Sequence, residues 1–234
     1  MMSVFLLDSF FATTRLSENC FKIIFHKSIE HVMHCTARFL SLFLLSTLFH
    51  AKLIEMRIFL IGFMGSGKSH NGKKLAKALN YNFIDLDDYI EEKAGKSIEE
   101  IFQQAGESYF RHLEQECLKS MTQFDDIVIS TGGGAPCFSD NMAWIKKNGI
   151  SIFLNPSVNI LLHRLLPRTA HRPLLKGKSS EELYQYIHNK LEERVAFYNQ
   201  ADFTITLPNE SEDVVKNILQ HLQDFFIIFF WNER

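Results

Sequence analysis

The 234-residue sequence has few of the features that staple, anchor or charge a chain. Its 4 cysteines (Cys20, Cys35, Cys117 and Cys137) are irregularly spaced and form no C-x-x-C pair. That excludes a zinc finger and a disulfide framework, and it suits a reducing compartment. Basic residues are not in surplus: 25 Lys and Arg against 27 Asp and Glu leave a net charge of -2, which excludes a general nucleic-acid binder, although a local basic patch stays open. The apolar run from Phe39 to Phe49 stops well short of the ~20 residues that a membrane-spanning helix needs. No A-x-A-like cleavage site follows it, and Asp8, Glu18, Glu30 and Glu55 argue against a transit peptide.

Residues 1–55 contain neither glycine nor proline, and 12 of the 22 phenylalanines lie before Met56 or after Asp224. The expected organisation is therefore an extension over 1–55 outside the fold, an α/β domain over 56–224 and an apolar tail over 225–234. Met56 is the expected natural start, with the preceding residues being upstream sequence read as protein; the alternative is an anchor or interaction helix. The tail is expected to be a last strand or helix end on the core, or a sticky segment. The central segment is long enough to bury its own core.

What is present is a complete phosphate loop, Gly62-Phe63-Met64-Gly65-Ser66-Gly67-Lys68-Ser69, directly after the apolar run from Arg57 to Ile61. Its glycines let the backbone wrap so that successive N–H groups converge on phosphate oxygens at a helix N-terminus. Lys68 is placed to reach the β- and γ-phosphates, and the Ser69 hydroxyl to take one position on Mg²⁺. The strand pattern before the loop and the helical pattern after it (Leu75, Ala76, Leu79) are the context such a motif requires.

Downstream, a helix over about 68–80 leads to a short strand ending in Asp85-Leu86-Asp87, where an open parallel sheet presents its ligands. Asp85 and Asp87 alternate at strand spacing, so one is placed for the metal and the other for an acceptor hydroxyl; the alternative is that Asp87 or Asp88 caps the next helix. Ser97 to Glu100 is a capping-box pattern, and Gly106 punctuates before a helix over about 107–121. On that helix Arg111 and Glu114 form an i,i+3 pair, either a surface ion pair or an arginine held toward an anionic substrate. The strand from Asp126 to Ser130 ends in Gly132-Gly133-Gly134, where a ligand can touch backbone directly. A helix over about 142–148 closes at Gly149, a strand spans 150–154, and Pro156 opens a helix to about Arg164. From Leu166 to Ser180 periodicity fails, and Pro, Gly, Arg168 and Arg172 suggest a mobile lid. A capped helix from Ser179 to about Asn199 carries Arg194; a strand over 203–206 and a helix over 209–223 close the domain. Strands and helices alternate about five times, which predicts a doubly wound parallel sheet.

Taken together, the phosphate loop, Asp85-Leu86-Asp87, Phe110-Arg111 with Glu114, the three glycines, Arg172-Pro173-Leu174-Leu175 and Arg194 resemble the shikimate kinase family over roughly 56–223. The resemblance implies a three-layer α/β P-loop kinase fold with a five-stranded parallel sheet and a mobile lid. It further implies ATP- and Mg²⁺-dependent phosphorylation of the shikimate 3-hydroxyl, a step of aromatic amino-acid biosynthesis, by a monomeric cytoplasmic enzyme. Asp87 then meets the reacting hydroxyl, with Lys68 and Arg172 as the other catalytic residues. Asp85 and Ser69 are metal-side residues. Arg111 and Arg194 hold the substrate carboxylate, with Glu114 orienting Arg111, and Gly133 and Gly134 offer backbone contacts. Gly65, Ser66, Gly67, Lys68, Ser69 and His70 form the nucleotide cradle; Arg164, with Arg168 as competitor, stacks near adenine, and Arg172 closes the lid.

One departure stands out: His70 and Asn71 replace the Thr and branched apolar residue that usually follow Lys-Ser in this family. The expectation is weaker nucleotide binding with the chemistry retained. The rival readings are another P-loop small-molecule kinase, such as a gluconate kinase, and a non-catalytic nucleotide-binding or membrane-associated protein.

Overall fold

The computed structural model describes residues 56–167, 175, 177–207 and 213–232, with side chains through 225. The extension and the lid segment holding Arg168 and Arg172 lie outside the described residues. Five parallel strands form the sheet: β1 Arg57–Ile61, β2 Asn82–Asp85, β3 Ile127–Ser130, β4 Ile150–Pro156 and β5 Phe203–Leu207, in the order β2-β3-β1-β4-β5. This is the expected architecture. Strand β1 sits at the centre with Ile58 to Ile61 wholly buried, as a parallel strand covered on both faces must be. The order reverses between β1 and β3, so the carboxyl ends of these two strands diverge into a ligand crevice.

Helix α1 (Lys68–Leu79) follows β1; α2 (Leu86–Ala94) and α3 (Ile98–Lys119) join β2 to β3; α4 (Asn141–Asn148) precedes β4; α5 (Val158–Leu165) and α6 (Ser180–Tyr198) link β4 to β5; α7 is Val214–Asn232. Gly72 lets α1 lie close on the sheet, because a Cβ there would stand 2.6 Å from the Phe83 ring. The capping boxes Ser97/Glu100 and Ser179/Glu182 both form. Gly106, at φ 77 and ψ 177, breaks α3 into two helical stretches where the sequence punctuates it.

One local expectation changes. Pro156 does not open α5: it is the last residue of β4, paired with Leu207, and the Ser157 side chain caps the helix by accepting from the Ile160 N–H. Gly149 closes α4 as expected, with an extended φ of 175 rather than a left-handed one. Its side chain is excluded for another reason: a Cβ would lie 2.3 Å from the Arg57 carbonyl oxygen. The backbone of α7 continues through Asn232, so most of the apolar tail is a prolonged helix end.

The core lies on both faces of the sheet. Phe59, Ile61, Leu86, Phe110, Leu118 and Phe153 belong to the larger cluster, and a smaller one forms around Phe63, Leu161, Leu165, Leu175 and Ile187. The second cluster lies beneath the phosphate loop through Phe63. No helix among the described residues is long and apolar enough to cross a membrane.

Candidate active site

The phosphate loop runs from Gly62 to Ser69 between β1 and α1. Gly62, Gly65 and Gly67 have φ of 137, 79 and 96, values that L side chains rarely adopt, and a Cβ on Gly62 would meet the Leu154 carbonyl oxygen at 2.6 Å. The loop carbonyls are tied down one after another. Lys68 Nζ donates to the carbonyls of Gly62 and Phe63, each at 2.9 Å, and Arg164 donates to those of Gly65 and Ser66 at 3.2 and 3.3 Å. Arg164 thus touches the loop itself. Ser66 is fully buried and its N–H donates to the Phe63 carbonyl at 3.1 Å, closing the turn from inside. His70 is exposed at the cleft wall.

Asn71 stands where the family usually has a branched apolar residue. Its carboxamide turns back and donates to the Gly67 carbonyl at 3.0 Å, so a buried polar side chain finds its partner in the loop it follows.

A cleft of about 580 Å³ opens over the loop. Gly65, Gly67, Lys68, Ser69, His70 and Arg164 line one side, and Asp85, Asp87, Ser130, Thr131 and Gly133 the other. Ser69 Oγ donates to Asp85 Oδ2 at 2.5 Å and lies 3.3 Å from Ser130 Oγ. The proposed metal pair, Ser69 and Asp85, is therefore brought into direct contact.

Asp85 and Asp87 do not alternate along a strand. Strand β2 ends at Asp85, which caps α2 by accepting the Asp87 N–H at 3.1 Å, and Asp87 sits in the first helical turn. The cap is Asp85, not Asp87 or Asp88. This leaves the Asp87 carboxylate at the cleft, beside Gly132, at the positive end of α2.

The glycine turn after β3 forms the end wall. A Cβ on Gly132 would stand 2.8 Å from both Asp87 Oδ1 and Glu114 Oε1, and one on Gly134 would stand 3.0 Å from Arg111 Nη1. Arg111 pairs with Glu114 at 2.7 Å and Glu107 at 3.1 Å, and its guanidinium lies 3.9 Å from the centre of the Phe138 ring. Glu114 is only 1 % exposed, so the pair is no ordinary surface bridge. Burial pushes the Glu114 carboxyl above the usual range, the Arg111 guanidinium pulls it back down, and the nearby Asp87 charge adds to the rise. From α6, Arg194 donates to the Gly133 carbonyl at 3.3 Å. Arg111 and Arg194 thus meet the turn at adjacent glycines; neither lines the nucleotide cleft itself.

Two contributors were not singled out from sequence. Glu107 stands four residues before Arg111, a spacing that could have been read as a helical ion pair. Tyr198 stands four residues after Arg194, on the same helix face, and donates to the same Gly133 carbonyl.

The chain resembles known proteins over this whole unit. The family profile described as shikimate kinase matches residues 64–223. The shikimate kinase of Bacteroides thetaiotaomicron is 44% identical over 171 residues, covering 72% of this chain and 97% of that one. Its 1.7 Å crystal structure superposes with a TM-score of 0.67 at 43% identity, over 73% of this chain and 97% of that chain. The Acinetobacter baumannii shikimate kinase in complex with shikimate matches at TM-score 0.66 and 35% identity, over 73% of this chain and 94% of that chain. With the phosphate loop, the acidic cap and the arginine-flanked glycine turn assembled around one crevice, the chain belongs to the shikimate kinase family.

Proposed function

We propose that residues 56–224 catalyse transfer of the γ-phosphoryl group of ATP to the 3-hydroxyl of shikimate, as a monomeric cytoplasmic enzyme of aromatic amino-acid biosynthesis. The observation that carries this reading is the glycine turn, with Arg111 held by buried Glu114 on one side and Arg194 on the other, beside Asp87. Two guanidinium groups suit a carboxylate, and Asp87 suits the hydroxyl that reacts. Kinship with shikimate kinases over nearly their full length favours a cyclic hydroxy acid over gluconate, which is also a carboxylated polyol.

The loop N–H groups bind the phosphates, and Lys68 exchanges its contacts with the Gly62 and Phe63 carbonyls for the β- and γ-oxygens. Ser69 and Asp85 offer hard oxygen donors in contact at the loop mouth, a set that fits Mg²⁺ held largely by water and phosphate. When bound, the ion neutralises charge on the phosphate oxygens. Arg111 and Arg194 fix the acceptor, Asp87 accepts a hydrogen bond from its hydroxyl or takes the proton, and Gly133 and Gly134 leave room for the substrate to touch backbone. Arg172 is assigned to lid closure over the phosphates. Alignment and neutralisation supply the rate, because a loose phosphoryl-transfer transition state demands little base catalysis.

Asp87→Ala tests the assignment. Phosphotransfer should fall by about 10²-fold or more while the Kd for ATP stays unchanged, since the carboxylate serves the acceptor. Full turnover in the variant would remove Asp87 from the mechanism, and equal loss of ATP binding would make its role structural.

A further inference from the structure

The Gly133 carbonyl receives two donors from one helix. Arg194 Nη1 donates to it at 3.3 Å, and one turn later the Tyr198 hydroxyl donates at 2.5 Å. Tyr198 is the last residue of α6 and is fully buried, its ring packed on Phe153 of β4 with centroids 5.0 Å apart. A wholly buried phenol seated against a central strand has little freedom, so its hydroxyl is a fixed point to which the glycine turn is tied. Burial pushes the ionisation of this phenol up, which favours the protonated hydroxyl as a donor.

The tie has a geometric consequence. A peptide unit is planar and trans, so its C=O and the following N–H leave opposite edges of one rigid plate. Holding the Gly133 carbonyl toward α6 therefore sets the direction of the Gly134 N–H, and Gly134 is the residue against which Arg111 lies. The turn itself is closed by the Ala135 N–H donating to the Gly132 carbonyl at 3.1 Å and the Cys137 N–H donating to the Gly134 carbonyl at 2.8 Å, but these bonds do not fix the plane of the central Gly133–Gly134 peptide, and with glycine on both sides no side chain restrains its flip.

We propose that Tyr198 is a positioning residue for the acceptor: together with Arg194 it clamps the Gly133–Gly134 peptide, fixing the backbone N–H and the spacing of the two arginines across the turn. The inference rests on the reading of this turn as the shikimate subsite. It assigns Tyr198 no contact with the substrate.

Tyr198→Phe keeps the ring and removes the donor. The expected result is a rise of roughly three- to tenfold in KM for shikimate, the worth of one hydrogen bond, with KM for ATP within about twofold of wild type. A merely structural role would move both KM values together or neither, and either pattern would overturn the proposal. A second measurement does not depend on activity or on the variant folding. In the ¹⁵N-labelled full chain, ¹⁵N relaxation should give the Gly134 amide an order parameter near ~0.85, like the strands, whereas a value below ~0.6 would show an unclamped turn and overturn the proposal. A wild-type chain that ignores shikimate but shows a rigid Gly134 would overturn the substrate reading and leave the clamp standing.

Discussion

Gly132→Ala is a sharp geometric test of the acceptor site. The glycine does not have a positive φ, so an alanine there meets no backbone strain; the entire effect comes from its methyl group. That methyl would stand 2.8 Å from Asp87 Oδ1 and 2.8 Å from Glu114 Oε1, and each oxygen must retreat by roughly 0.5 Å or more to reach ordinary contact. Glu114 has nowhere to go, being 1 % exposed and held by Arg111 at 2.7 Å. Asp87 faces the cleft and yields. A misplacement of about 1 Å costs on the order of 10²-fold in rate, so displacing the hydroxyl partner by half that distance or more should lower kcat by about 10- to 100-fold. Crowding should also cost about 1–3 kcal/mol of stability. The assay is steady-state ADP release with shikimate varied, alongside a Kd for ATP and a thermal melt. ATP affinity should hold within about twofold, because the atoms nearest the new methyl belong to Asp87 and Glu114 rather than to the phosphate loop. A kcat indistinguishable from wild type, in a folded variant, would refute the placement of Asp87 beside this turn.

Three further outcomes follow from the same geometry. His70→Thr restores a hydroxyl beside the phosphates and should tighten ATP binding by about two- to tenfold, the worth of one hydrogen bond, in a calorimetric titration; unchanged affinity would mean that His70 costs nothing. Glu114 has a folded-state pKa above its unfolded one, so its stabilising contribution is full below the ordinary glutamate pKa and is lost as pH rises through the folded value. On acidification it takes up its proton at a higher pH than an exposed glutamate would, which weakens its hold on Arg111; KM for shikimate should climb there, and Glu114→Gln should flatten that limb. An identical acid limb in the variant would assign it to another group. Gly149→Ala places a methyl 2.3 Å from the Arg57 carbonyl of the central strand, and it should lower stability by about 1–3 kcal/mol, or several degrees in Tm, with kcat retained.

Much of the fold was legible because three of the five strands run directly into chemistry: β1 into the phosphate loop, β2 into Asp85, β3 into the three glycines. Capping boxes marked two helix starts without ambiguity. Where reading fell short, a tertiary contact decided the matter. Gly149 does close α4 as read, but the need for glycine there comes from a backbone oxygen 92 positions earlier in the chain. Asp85 and Asp87 looked like strand neighbours until Asp85 became the cap and turned the chain into α2. Asn71 departs from the family pattern, and its partner, a loop carbonyl one turn back, follows from geometry that spacing alone does not announce. Tyr198 meets Gly133 across 65 residues, and no local pattern joins a helix-terminal tyrosine to a glycine turn. The site residues themselves were more readable than their supports, since loop, acid and arginine motifs carry recognisable chemistry.

The most direct test of the central claim is ADP release by the purified full-length chain with Mg-ATP, comparing shikimate, gluconate and no acceptor. Stimulation by shikimate alone, with shikimate 3-phosphate as the product, is the predicted result. A folded, ATP-binding chain that responds to gluconate or to no acceptor would contradict it.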